Sequence, residues 1–203
     1  MYDSLFQTGS LLVHGKEYKI RYPQGNGHPF FGQQSWRSGY IQMHGMRLAH
    51  DAIRYDLLND HLLIQHFSGS GSHVIMINKE HAREFQLDGH RFCFLEEVED
   101  AGPDLEPGYY EAAYGAGTEI WARWKKTYTE GSQGKGSFEQ SRTYFVKNRN
   151  RYYRITNRKS LIRAFPGREE DIKTYLKNHR IPVRRAGLEQ LEDVVRYYEG
   201  LQK

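Results

Sequence analysis

Cysteine is almost missing from this chain. Cys93 stands alone among 203 residues, so there is no intrachain disulfide and no thiolate metal centre. Its setting, Arg91-Phe92-Cys93-Phe94-Leu95, predicts a small buried hydrophobe rather than a nucleophile. Long apolar runs are missing too: nothing approaches about 18 consecutive apolar residues, which excludes a helical membrane span. The opening MYDSLFQTGS lacks the basic and apolar regions of a secretory signal. It therefore starts either a cytoplasmic protein or an exported one whose signal was cut away and replaced by Met.

Catalytic signatures are also absent. There is no GxSxG, and the glycine-serine runs at 68–72 and 131–137 lack the strand-turn-helix setting of a nucleophile elbow. Gly134-Lys135-Gly136-Ser137 has the lysine and serine of a phosphate loop without its full run. Nine of ten histidines precede residue 91, yet His44, His50, His61, His66, His73 and His81 match no metal-ligand spacing. His61 and His66 have opposite parity on one strand, so they point apart. Asp51, Asp56 and Asp60 could pair as acid and base, but Asp56 and Asp60 bracket a turn, where aspartate serves local hydrogen bonding. No catalytic residue, metal site or cofactor is expected. No solenoid or propeller period is present.

What the chain does have is strand patterning. Within residues 38–67, Ile53, Tyr55 and Leu57 alternate with Arg54, Asp56 and Leu58, and Leu62, Ile64 and His66 resume the alternation beyond Asn59-Asp60. His44-Gly45 supplies an earlier turn, giving a three-strand antiparallel meander. Val74-Ile75-Met76-Ile77 reads as a strand, and Asp88-Gly89 joins a further hairpin as a type I′ pair. Residues 108–114 pair with 118–128, and 138–147 with 151–156 around Asn148-Arg149-Asn150. Upstream, 11–22 reads as a strand. Leaving Phe30, Phe31 and Trp36 exposed costs roughly 1.5–3 kcal/mol per side chain, so their loop is expected to fold back and plug one end of the sheet. The acidic stretch 96–106 and the glycine-rich 130–137 read as surface loops.

The period changes after residue 156. Asn157 caps a short helix over 159–165, stopped by Pro166-Gly167. A second helix, 168–180, has acids first and bases last, in keeping with the macrodipole. A third, from 188, places Leu191, Val194, Val195, Tyr198 and Leu201 on one stripe. The expected fold is α+β: a mainly β domain of antiparallel hairpins over 1–156, a sandwich or open barrel, with a helical subdomain over 157–203 packed on it.

Several runs resemble uncharacterised exported proteins of Bacteroidota. They are Gly27-His28-Pro29-Phe30-Phe31 with Trp36, Gly39-Tyr40-Ile41 with Gly45, Tyr55-Asp56 before Asn59-Asp60, Pro107-Gly108-Tyr109-Tyr110, Thr143-Tyr144-Phe145-Val146-Lys147 with Tyr152-Tyr153, and Lys159-Ser160-Leu161 leading to Phe165. The resemblance implies a periplasmic or outer-membrane-associated protein with its signal peptide removed. It brings no activity and no catalytic residues.

Charge is unevenly spread. Residues 121–203 hold 20 Lys and Arg against 9 Asp and Glu, a net of +11, while 1–120 hold 9 against 16, a net of −7. Such asymmetry marks either a polyanion-facing surface or halves that attract one another. The candidate binding residues are Trp121, Arg123, Lys125, Arg149, Arg151 and Tyr153, cations mixed with rings as in sheets that hold single strands or polyanionic glycans. The leading expectation is a non-enzymatic envelope module that binds a protein partner or polyanion. Nucleic-acid or polyanion binding through the basic-aromatic hairpins is the alternative, and a hydrolase in which His44, His50, His61 and Asp56 converge is the second alternative.

Overall fold

The computed structural model describes residues 15–19, 25–69, 71–96, 105–115, 117–131 and 136–202. Most of the expected 11–22 strand and the centres of the 96–106 and 130–137 loops lie outside these residues. The chain is mainly β with α-helices at its C-terminal end. Its strands are β1 Gly15–Glu17, β2 Gly25–Asn26, β3 Arg37–Met43, β4 Met46–Asp56, β5 His61–Ser68, β6 Gly71–Ile77, β7 Ala82–Leu87, β8 His90–Leu95, β9 Gly108–Tyr114, β10 Glu119–Thr129, β11 Gly136–Asn148 and β12 Arg151–Ile155. Its helices are α1 Arg158–Arg163, α2 Glu169–Asn178 and α3 Leu188–Gly200, with a 3₁₀ turn at Val183–Arg185. No helix among the described residues is long and apolar enough to cross a membrane.

The residues condense into two units, 1–94 with 124–141 and 95–123 with 142–203. Residue 156 falls inside the second, so the three helices share their unit with β9, β12 and parts of β10 and β11.

In the first unit the strands run β1-β6-β5-β4-β3-β7-β8, a linear order that leaves the sheet open. Neighbours β1 with β6, β6 with β5, β5 with β4, β4 with β3, β3 with β7 and β7 with β8 pair antiparallel, while β2 adds a parallel pair with β11. The two-residue turns follow the sequence: His44 and Gly45 have φ of 48° and 76°, Asp88 and Gly89 51° and 84°, the paired left-handed values of a type I′ turn. Between β4 and β5 the chain instead uses four residues, with Asp56 opposite His61. Leu57 and Leu58 therefore belong to the turn, and Asp56 holds it. Its fully buried carboxylate accepts from the Leu58 and Asn59 backbone N–H groups at 2.9 and 3.2 Å and from Asn59 Nδ2 at 2.8 Å.

Leu62, Leu63 and Ile64 are all fully buried, so mid-β5 is covered on both faces rather than half-buried. The aromatic loop accounts for part of this. Phe30 forms a bridge with Asp56, and Phe31 N–H donates to Tyr55 O at 2.8 Å. Adjacent extended residues point oppositely. Phe31 meets the rings of His90, Phe92 and Trp124 edge-on at 5.1, 5.0 and 5.3 Å, joining the cluster of Phe92 with Tyr55 and Phe85. Phe30 lies under the Arg54 guanidinium, 4.7 Å from its ring, and the same guanidinium covers Trp36 at 4.2 Å. The loop thus folds back onto the end of β4. Cys93 departs from expectation: Phe92 takes the inward position, leaving Cys93 half-buried with Sγ 3.7 Å from Glu84 Oε2.

In the second unit Asn157 caps α1 as expected. Its side chain accepts from Ser160 N–H at 3.0 Å, and Ser160 Oγ accepts from Asn157 N–H at 3.0 Å. Ile172 and Leu176 of α2, and Leu191, Val194, Val195 and Tyr198 of α3, are buried. The buried Asn148 side chain joins strand to helices, donating to Ala164 O at 2.8 Å and Tyr198 OH at 3.2 Å.

Phe31→Ala is expected to lower stability by about 3–5 kcal/mol in urea denaturation, and Met46→Ala, at an exposed residue, by less than about 0.5 kcal/mol. Equal effects would contradict the role given to the loop.

Candidate functional site

The six candidate binding residues do not form one surface. Trp121 is 6% exposed, packs edge-on against Tyr152 at 6.2 Å and donates Nε1–H to Glu119 Oε2 at 2.7 Å. Lys147 closes this group, 3.3 Å from Glu119 Oε1 and about 6 Å from both rings (5.9 and 5.8 Å). Arg123 is buried. It donates Nη1–H to Tyr109 O at 2.7 Å and covers the Tyr110 ring at 4.9 Å. Gly108, at φ 153°, makes room: a Cβ there would stand 2.0 Å from Arg123 Nη1. Lys125 is exposed but belongs to the first unit. Tyr153 is half-buried, opposite Val146 on the face of β12 away from Tyr152. Only Arg149 and Arg151, at the β11–β12 turn, are both exposed and without an acidic or hydrogen-bonding side-chain partner among the described residues.

A second basic region emerges that residue-by-residue reading did not single out. Arg158 and Lys159 at the start of α1, and Arg184 and Arg185 in the 3₁₀ turn, line one groove with Asn157 and the run Ile181-Pro182-Val183. All four cations are exposed. Lys159, Arg184 and Arg185 have no ion pair among the described residues, and Arg158 spends one N–H on Lys173 O at 2.6 Å. The dipeptide Arg184-Arg185 after Pro182 was the available signal, but its meaning depended on knowing that α1 lies alongside.

Three further cations of this unit are paired with acids, whereas Arg163, Lys177 and Arg180 are exposed without an ion pair among the described residues. Arg168 pairs with Asp171, Lys173 with Glu170 and Arg196 with Glu192 within a helical turn, at 3.5, 3.2 and 3.4 Å. Exposed pairs of this kind contribute little to stability, but they do neutralise their cations locally.

In the first unit the residues of the hydrolase alternative stay apart. His44, in the turn before β4, and Asp56, at its last residue, are separated by the length of the strand, roughly 30 Å at the strand rise. His50 opposes Gly39, and only His61 opposes Asp56, whose carboxylate is already engaged in the turn. Asp60 accepts from Tyr55 OH and from Lys79 Nζ, both at 2.6 Å. His61, with a buried Nδ1 that has no hydrogen-bond partner, lines a cleft of about 360 Å³ with Lys79 and His81. Among the described residues no three His, Cys, Asp or Glu gather as metal ligands.

No family model, curated protein or solved structure matches this chain.

Burial holds His28, His50 and His61 below their ordinary value of 6.5, with Lys126 adding to the effect at His28. The unfolded chain takes up protons near pH 6.5 that these folded-state histidines resist. Stability from this source is complete above about pH 6.5 and is lost as pH falls toward the lowered folded-state values. Urea midpoints are therefore expected to fall from pH 7.5 to 5.5, and to fall less in His50→Asn, whose amide oxygen can replace Nδ1 as acceptor for Ala52 N–H. A wild-type midpoint that stays flat over this range would contradict the assignment.

Proposed function

We propose that this protein is a non-enzymatic binding module of the cell envelope and that its ligand is a polyanion held by the second unit. The observation that carries the reading is the set of exposed cations there without acidic partners among the described residues: Arg149, Arg151, Lys159, Arg184 and Arg185, together with Arg158, Arg163, Lys177 and Arg180. A folded surface that can neutralise Arg168, Lys173 and Arg196 within a helical turn leaves these nine without an acid. A polyanion that displaces its counterions onto such a surface gains affinity by their release. The turn and aromatic runs that resemble exported Bacteroidota proteins support the compartment. The separation of His44 and His50 from Asp56 supports binding rather than hydrolysis.

An anionic polysaccharide fits better than a single-stranded nucleic acid. Base recognition on a sheet rests on rings exposed for stacking, each worth about 1–3 kcal/mol. Here Trp121 is enclosed by Tyr152, Lys147 and Glu119 and offers no open ring face for stacking.

The protein is expected to be retained on immobilised heparin at low ionic strength and released as salt rises. Arg149→Glu with Arg151→Glu should elute at lower salt, whereas Trp121→Phe should elute with the wild type. No retention at low salt sinks the proposal. Tighter binding to a single-stranded oligonucleotide than to a polysaccharide of equal charge, lost in Trp121→Phe, favours nucleic acid instead.

A further inference from the structure

The groove at the start of α1 has the chemistry of an oxyanion site. Its cations come from two segments brought together by a chain reversal after α2. The helix ends at Asn178, Arg180 takes a left-handed φ of 51°, and Ile181 N–H reaches back to Leu176 O at 3.1 Å. This hydrogen bond and the left-handed residue are those of a Schellman ending. Pro182 then prevents continuation, and Arg185 N–H closes the 3₁₀ turn on Pro182 O at 2.7 Å. Arg184 and Arg185 are fixed at their backbones as neighbours of Arg158 and Lys159, with no carboxylate lining the groove.

Resting on the polyanion reading above, we propose that this groove grips the phosphate or sulfate ester groups of the ligand. The guanidinium forks of Arg184 and Arg185 offer paired N–H donors that match a tetrahedral oxyanion, Arg158 adds the N–H groups it does not spend on Lys173 O, and Lys159 adds a point charge. Four positive charges around one volume repel each other and are offset better by a multiply charged or repeated oxyanion than by a single carboxylate. At about 490 Å³ the groove exceeds a bare ion, and Ile181, Pro182 and Val183 provide an apolar wall for the organic body of the ester. Arg149 and Arg151 lie nine and seven residues before the α1 start, at the far end of the five-residue β12, which spans about 17 Å at the strand rise, so an extended polymer can engage both regions.

The test uses the full chain in low salt, with pyrophosphate, inorganic sulfate and polygalacturonate as titrants and heparin as the long polyanion. Wild type is expected to bind pyrophosphate or sulfate. Arg184→Gln with Arg185→Gln should weaken this by about tenfold or more, as expected for loss of two charge-assisted partners, with an unchanged thermal midpoint. Lys177→Gln, an exposed change on α2 outside the groove, should stay within about twofold of wild type. Stronger binding of pyrophosphate than sulfate identifies a phosphate ester, and the reverse a sulfate ester. Equal weakening by Lys177→Gln and the double variant overturns the site in favour of diffuse charge. Equally tight binding of polygalacturonate, with the same loss in the double variant, overturns the ester assignment. Heparin binding without pyrophosphate or sulfate binding overturns the groove and leaves the polyanion reading standing, whereas no heparin binding removes both.

Discussion

The alternation of side chains along β10 is the constraint on which the assignment of function turns. Its residues from Glu119 to Arg123 belong to the second unit and those from Trp124 to the first. Trp121 and Arg123 share one side of the strand, and both are taken up by the second unit. Trp124 and Lys126 share the other side. Trp124 packs on Phe31, and Lys126 Nζ donates to His28 O at 2.8 Å and Phe30 O at 2.7 Å. A sequence segment rich in cations and rings is thus committed on both faces to holding the fold. Lys125, between them, is the one basic residue of this stretch that is exposed.

Lys126 shows how this commitment works. Its half-buried ammonium binds two loop carbonyls, and desolvation lowers its pKa without removing its role as a donor. The main-chain N–H of the same residue donates to Leu57 O at 3.1 Å, while Leu57 N–H donates to Pro29 O at 2.9 Å. Strand, turn and loop therefore satisfy one another's buried polar groups. This allows a glycine- and proline-rich segment to seat Phe30 and Phe31 at 3% and 7% exposure.

Much of the architecture was legible because its causes are local. Paired left-handed turns at His44-Gly45 and Asp88-Gly89, the Asn157 cap and the α3 stripe each depend on a few neighbouring residues. Less legible were features set by distant partners. Arg123 looks like a surface cation until Gly108 and the Tyr109 carbonyl, 14 residues away, accommodate it. The four-residue turn after β4 was masked by Leu57 and Leu58, whose apolar character extends the strand pattern while the Asp56 carboxylate organises the turn. Arg149 and Arg151 were visible as candidates from the start, whereas the partners of Arg184 and Arg185 depend on how the chain reverses after α2.

The same distinction explains which cations are left for a ligand. Helices place residues three or four apart side by side, so Arg168, Lys173 and Arg196 find acids in their own helices. A tight β-turn and a three-residue 3₁₀ turn offer no such neighbours. From Asn148 to Arg168 the sequence contains seven basic residues and no acid, and from Lys173 to Gly187 a further five and again no acid. The positive surface is therefore a consequence of sequence spacing at turns and short elements. The chain reversal at Arg180 converts two separated basic runs into one groove.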